Sequence, residues 1–197
     1  VKSRFVSVYI NLYVITVFMI LSGCDWYPDE RATFLNAVTS DDRATVKRIL
    51  GNNPKYLNVR SGTGESAIHF ACSYVRPTMV EILLSYGASV NDVDASGYKP
   101  IHSAIAHIGN DYEGLEDEQI KIIKVLIKNG ASVNDVVNGL DREFPLHMAV
   151  RLRNRKIVKL LLENGADQNL KDGHGLTPIE LAQKMGIEGM CDLLDCK

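Results

Sequence analysis

Apolar positions in this chain repeat with a helical period, in paired blocks. Val80, Ile82, Leu83 and Leu84 show the 3.6-residue spacing of a buried helix face, as do Ile157, Val158, Leu160, Leu161 and Leu162. Such runs end in Gly-Ala, at Gly87-Ala88, Gly130-Ala131 and Gly165-Ala166. A shorter phrase precedes them. It reads Ser66-Ala67-Ile68-His69-Phe70-Ala71, Lys99-Pro100-Ile101-His102-Ser103-Ala104, Phe144-Pro145-Leu146-His147-Met148-Ala149 and Thr177-Pro178-Ile179-Glu180-Leu181-Ala182. The pattern predicts pairs of helices. Proline opens the first helix of a pair, where its missing N–H is not needed. Glycine closes the second in a left-handed conformation that it adopts without strain. Ala71, Ala104, Ala149 and Ala182 are small because two helices must approach closely there. One pair cannot bury its apolar face alone, so neighbouring pairs must stack.

Five units follow, at about 31–60, 61–94, 95–137, 138–171 and 172–197. The first is degenerate. Phe34, Leu35, Ala37 and Val38 predict its first helix; Val46, Ile49 and Leu50 predict its second, which Pro54 ends. From His69 to Gly87 is 18 residues, and from His147 to Gly165 is also 18, but from His102 to Gly130 is 28. The third unit therefore holds ten extra residues within Ile108 to Glu118, rich in Asp and Glu and carrying Tyr112. A surface insertion of that length costs little in loop closure. The turn around Asn138-Gly139-Leu140-Asp141 is two residues longer than its counterparts. The fifth unit predicts a closing helix over Met190-Cys191-Asp192-Leu193-Leu194.

These phrases resemble the ankyrin repeat, whose pattern is Gly-x-Thr-Pro-Leu-His-x-Ala, then Val-Val-x-x-Leu-Leu, then Gly-Ala-x-Val-Asn. The resemblance covers roughly Asp29 to Lys197 and is strong in repeats two to five. It implies an all-α solenoid of helix–turn–helix repeats with β-turn fingers, monomeric when alone. It also implies a protein-binding chain rather than an enzyme.

The segment before the repeats has another character. Lys2 and Arg4 form a basic start, Phe5 to Leu21 is uncharged, and Leu21-Ser22-Gly23-Cys24 closes it. This describes a secretory signal over 1–23, and its last four residues resemble a bacterial lipobox. In that family the cut falls before the cysteine, which carries the lipid. An uncleaved membrane anchor is the alternative, since the run is nearly long enough to span a bilayer. Either reading puts the repeats outside the cytoplasm, facing the periplasm. Asp25 resembles a signal for retention at the inner membrane. Residues 24–30 form a tether whose Trp26 and Tyr27 could sit at lipid headgroups or cap the first helix.

Charge narrows the partner. The formal net charge is −2, and removing Lys2 and Arg4 leaves 20 basic side chains against 24 acidic ones. That balance argues against a nucleic-acid partner. Apolar residues make up 46% and charged residues 23%, as in ordinary globular proteins.

No catalytic or cofactor motif stands out: there is no Gly-x-Ser-x-Gly, His-Glu-x-x-His or phosphate-binding glycine loop. His69, His102 and His147 recur in register, about a helix spacing apart, too far to share one metal ion. In ankyrin repeats this histidine bonds backbone groups and ties neighbours together, so the three are assigned a structural role and no metal is expected. Cys72 and Cys191 read as small core residues. A Cys191–Cys196 disulfide is chemically permitted outside the cytoplasm but disfavoured by continuous helix.

Ankyrin partners usually meet the turn tips and the inner face of the first helices. Those positions here include Glu65, Ser73, Tyr74, Ser96, Tyr98, His107, Glu143, Arg151, Leu152, Lys184 and Met185. Tyr and Arg fit the composition of interface hot spots. The insertion, with Tyr112, is a rival contact. The leading functional expectation is an immunity protein that neutralises a toxic effector enzyme in the periplasm. Bacterial ankyrin lipoproteins of this type resemble partners of secreted antibacterial effectors, including phospholipases and those of type VI secretion. The alternative is a scaffold or assembly factor for an envelope complex.

Overall fold

Nine α-helices, and no strand, are found among the described residues of the computed structural model, which are 30–106, 114–137, 142–190 and 192–194. They are α1 (Glu30–Thr39), α2 (Arg43–Asn52), α3 (Ala67–Ser73), α4 (Pro77–Ser85), α5 (Pro100–Ala106), α6 (Glu116–Lys128), α7 (Pro145–Arg151), α8 (Arg155–Glu163) and α9 (Pro178–Lys184). Short 3-10 turns follow α2 at Pro54–Asn58 and α9 at Glu188–Met190. One compact unit runs from Phe34 to Lys197. The leader, Cys24 and the tether up to residue 29 lie outside the described residues, as do His107, Tyr112, the 138–141 turn, Cys191 and Cys196.

The first helices α3, α5, α7 and α9 pack in series, and each of α3, α5 and α7 also packs on the second helix of its own pair. The second helices form a parallel row, α2 to α4 to α6 to α8. Between the rows lies one continuous apolar core, from Phe34 and Leu50 through Leu83, Ile105 and Ile123 to Leu161 and Leu194. Ala71, Ala104, Ala149 and Ala182 are all fully buried where the first helices meet.

The β-turn fingers are built alike. In repeat three Asp94 Oδ1 accepts the N–H groups of Ser96 and Tyr98, each at 2.8 Å. In repeat five Asp172 does the same for His174 and Leu176, and in repeat two the Ser61 hydroxyl serves Thr63 and Glu65. Each finger turns at a left-handed glycine: Gly64, Gly97 or Gly175. All four fingers close by a backbone N–H to carbonyl bond: Ser61 to Glu65, Asp94 to Tyr98, Asp172 to Leu176 and, across the longer turn of repeat four, Val137 to Glu143.

Two sequence expectations need correction. The insertion placed within Ile108 to Glu118 is partly helix. Glu116, Asp117 and Glu118 form the first turn of α6, which has 13 residues against nine in α4 and α8. Carboxylates there meet the positive end of the helix dipole. Lys156 of repeat four pairs with Glu116 at 2.6 Å, and the buried Gln119 amide donates to the Ala104 carbonyl at the end of α5. Among the described residues the helix expected at Met190–Leu194 is also replaced, by a 3-10 turn at Glu188–Met190 and a further turn over 192–194. Gly186 and Gly189 weaken helix propensity there, while Met190 and Leu194 are still buried.

Candidate functional site

The three in-register histidines hold the finger face in place. His69 Nε2 donates to the Tyr98 carbonyl of the next finger at 3.0 Å. Its other ring nitrogen must then accept, and it takes the Ser66 N–H at 3.2 Å and the Ser66 hydroxyl at 2.8 Å. His102 repeats the scheme, with Nε2 to the Asp135 carbonyl at 2.9 Å and Nδ1 from the Lys99 N–H at 3.0 Å. His147 donates to the Leu176 carbonyl at 2.9 Å, but its Nδ1 is buried without a partner among the described residues. Glu180 replaces histidine in repeat five and makes only the local half of the scheme. It accepts the Thr177 N–H at 2.7 Å, and that bond holds its carboxyl below the usual carboxylate range.

A pH dependence follows. Burial is the main cause that lowers the pKa of His102, over the opposing pull of Asp135. The folded state then binds its proton less readily than the unfolded chain does. This contribution to stability is complete above the unfolded value of about 6.5 and is lost as pH falls below it toward the lower folded value. The slope approaches ~1.4 kcal/mol per pH unit for one proton. Urea unfolding between neutral and mildly acidic pH should show it, and His102→Gln should flatten that part of the profile. Parallel profiles for the two proteins would contradict it.

The side chains proposed to meet a partner are distributed unevenly. Tyr74 ends α3 and is 48% exposed. Tyr98 lies partly buried on the next finger, its backbone fixed by Asp94 and His69. Arg151 and Glu143 meet each other in a two-pronged pair, with both bonds 2.8 Å. Leu152 is partly buried against the core, and Lys184 is exposed at the end of α9.

Two hollows bring the Tyr74 and Tyr98 regions together. One, about 350 Å³, lies between the fingers of repeats two and three and the helices α3 and α5. The other, about 380 Å³, is lined by Phe70, Tyr74, Val75, Arg76 and Leu115. Glu65 and Ser73 border both. Val75 sits at φ +52°, a left-handed conformation that a β-branched residue rarely adopts. Asp41, Arg153 and Gly186 hold the same conformation at the equivalent places, four residues beyond the buried alanine. The turn therefore demands it, and burial of the Val75 side chain offsets the strain.

Asp94 and Ser103 border the first hollow without standing out in the sequence as contact residues. A signal was available for Ser103. It occupies the column that holds Phe70, Met148 and Leu181 in the other phrases, so it is the one polar residue among apolar ones.

Comparison with known proteins agrees with this architecture. A family model for ankyrin repeats (three copies) matches residues 34–136, and a second (many copies) matches 126–182. The chain is similar to human Rabankyrin-5, 30% identical over 156 residues, which is 73% of this chain and 12% of that protein. It is 29% identical to an ankyrin repeat protein of fowlpox virus over 131 residues, 66% of this chain and 83% of the viral protein. It is also 30% identical over 137 residues to neurogenic locus notch homolog protein 1 of Xenopus laevis, covering 70% of this chain and 5% of that one. The stacked helix pairs, their fingers and their bridging histidines thus agree with both matches: this chain belongs to the ankyrin-repeat family, whose repeats are typically non-catalytic modules that bind other proteins.

Proposed function

We propose that this chain is a non-enzymatic lipoprotein of a bacterial envelope that captures and neutralises a secreted effector enzyme, such as an antibacterial phospholipase, on the periplasmic side. The observation that carries the reading is the order of parts. A leader ending in Leu21-Ser22-Gly23-Cys24 runs directly into an array in which an exposed Tyr74 borders one hollow and Tyr98 borders its neighbour. Lipid on Cys24 would hold the array near the bilayer, because the five residues 25–29 at ~3.5 Å each reach less than about 20 Å. An inhibitor placed there meets a membrane-attacking enzyme on the surface that the enzyme attacks. Several acyl chains on one cysteine exceed the two-signal threshold for stable anchoring.

The test has two readouts on one preparation. The wild-type chain, expressed in a bacterium fed labelled fatty acid, should incorporate label and cofractionate with membranes. Cys24→Ser should do neither. The protein that co-purifies with the extracted chain should lose its enzymatic activity at equimolar ratio. Unchanged acyl labelling in Cys24→Ser would sink the anchor, and tight binding without inhibition would replace the neutraliser by a scaffold.

A further inference from the structure

The hollow between repeats two and three has a chemical character more specific than a general protein-binding face. Glu65, Asp94, Ser73, Ser96, Ser103 and Tyr98 border it. Among the described residues no lysine or arginine borders it, and neither carboxylate has an ion pair. Glu65 uses Oε2 to accept the Thr63 hydroxyl at 2.7 Å, and Asp94 uses Oδ1 for the two finger N–H groups. Glu65 Oε1 and Asp94 Oδ2 are left without a bond to any described residue.

Ser103 is an independent observation. It is 8% exposed, borders the hollow, and its hydroxyl bonds no described residue. The little surface Ser103 keeps lies at the lining of the hollow, so an otherwise apolar column presents one unpaired hydroxyl to whatever enters. The walls do not need to move to receive that group. Tyr98 is fixed at both backbone ends, and the two fingers are joined by an Ala95 N–H to Thr63 carbonyl bond at 3.1 Å where Gly64 lies close against Ala95.

We infer that this hollow seats an arginine or lysine side chain of the partner protein, bound by Glu65, Asp94 and the Ser103 hydroxyl. The occupant must bring several N–H donors and positive charge, because the walls offer acceptors and two uncompensated negative charges. The Tyr98 ring borders the same space and can cover the apolar stem of such a side chain. A pre-formed, rigid site lowers the ordering cost of binding. The inference rests on the protein-binding reading above and adds the chemistry of the residue that enters.

The test uses the full chain in detergent micelles and, as probe, a library of random dodecapeptides displayed on phage. Enriched peptides should contain an arginine or lysine whose replacement by glutamine weakens binding about tenfold or more. The same peptides should weaken comparably against Glu65→Gln and Asp94→Asn. Both variants keep the acceptor atoms that shape the fingers, and an unchanged melting temperature confirms an intact fold. Added salt should weaken the wild-type complex further. Peptides that lose affinity with Tyr74→Ala or Tyr98→Ala but bind both isosteric variants normally would overturn the basic-residue assignment and leave the finger face standing. A selection that enriches no peptide, or peptides indifferent to all four variants, would overturn the inference together with the face.

Discussion

Leu161→Ala should destabilise the array by about 2–5 kcal/mol, the range for truncating a buried leucine. Leu161 is fully buried on α8, and its backbone carbonyl accepts the Ala166 N–H that closes the helix. It stands within the continuous core, so the cavity would lie between neighbours that are themselves packed. Rigid surroundings relax poorly into such a hole, which favours the upper part of the range. Chemical denaturation reads the loss. A change below ~0.5 kcal/mol, the scale of ordinary surface substitutions, would mean that α8 does not face the core as described.

Gly64→Ala should be more damaging than Gly175→Ala. Gly64 sits at φ +80°, and an added Cβ would lie 2.6 Å from the Ala95 backbone nitrogen. The conformation alone costs an alanine roughly 1–2 kcal/mol. The clash is with backbone of the next finger, which cannot swing aside, so the total should exceed that range. Gly175 has a similar conformation, but its Cβ would meet nothing within 4 Å. Gly175→Ala should therefore show the conformational part only. Equal losses in the two variants would contradict the close approach at Ala95.

Much of this architecture is legible in side-chain identity, because the repeated positions serve backbone geometry. A proline opens a helix, a glycine closes one, and a histidine three residues into the phrase points Nε2 at a carbonyl of the next repeat. Pairings between distant side chains carry no such mark. Glu143 and Arg151 each read as surface residues, yet they lie eight apart across the start of α7 and bind each other. The lengthening of α6 was hidden for a related reason. A run of acids reads equally as loop or as a helix N-terminus until packing decides, and here the buried Gln119 and the Lys156 pair hold it as helix. The closing 3-10 turn likewise keeps the predicted apolar positions while losing the predicted helix. The candidate site stood half revealed. Tyr74 and Tyr98 follow from turn and helix register, whereas the hollow that joins Asp94 to Ser103 requires the stacking of two repeats.

The central claim is that the finger face of repeats two and three carries partner binding. Calorimetry with the co-purified partner tests it most directly, using Tyr74→Ala combined with Tyr98→Ala. Arg151 is left in place because its loss would strand Glu143. The account predicts an unchanged melting temperature and an affinity loss above about 2 kcal/mol, the usual scale of a hot spot. Full affinity in this variant, with binding abolished instead by deleting residues 108–114, would contradict it.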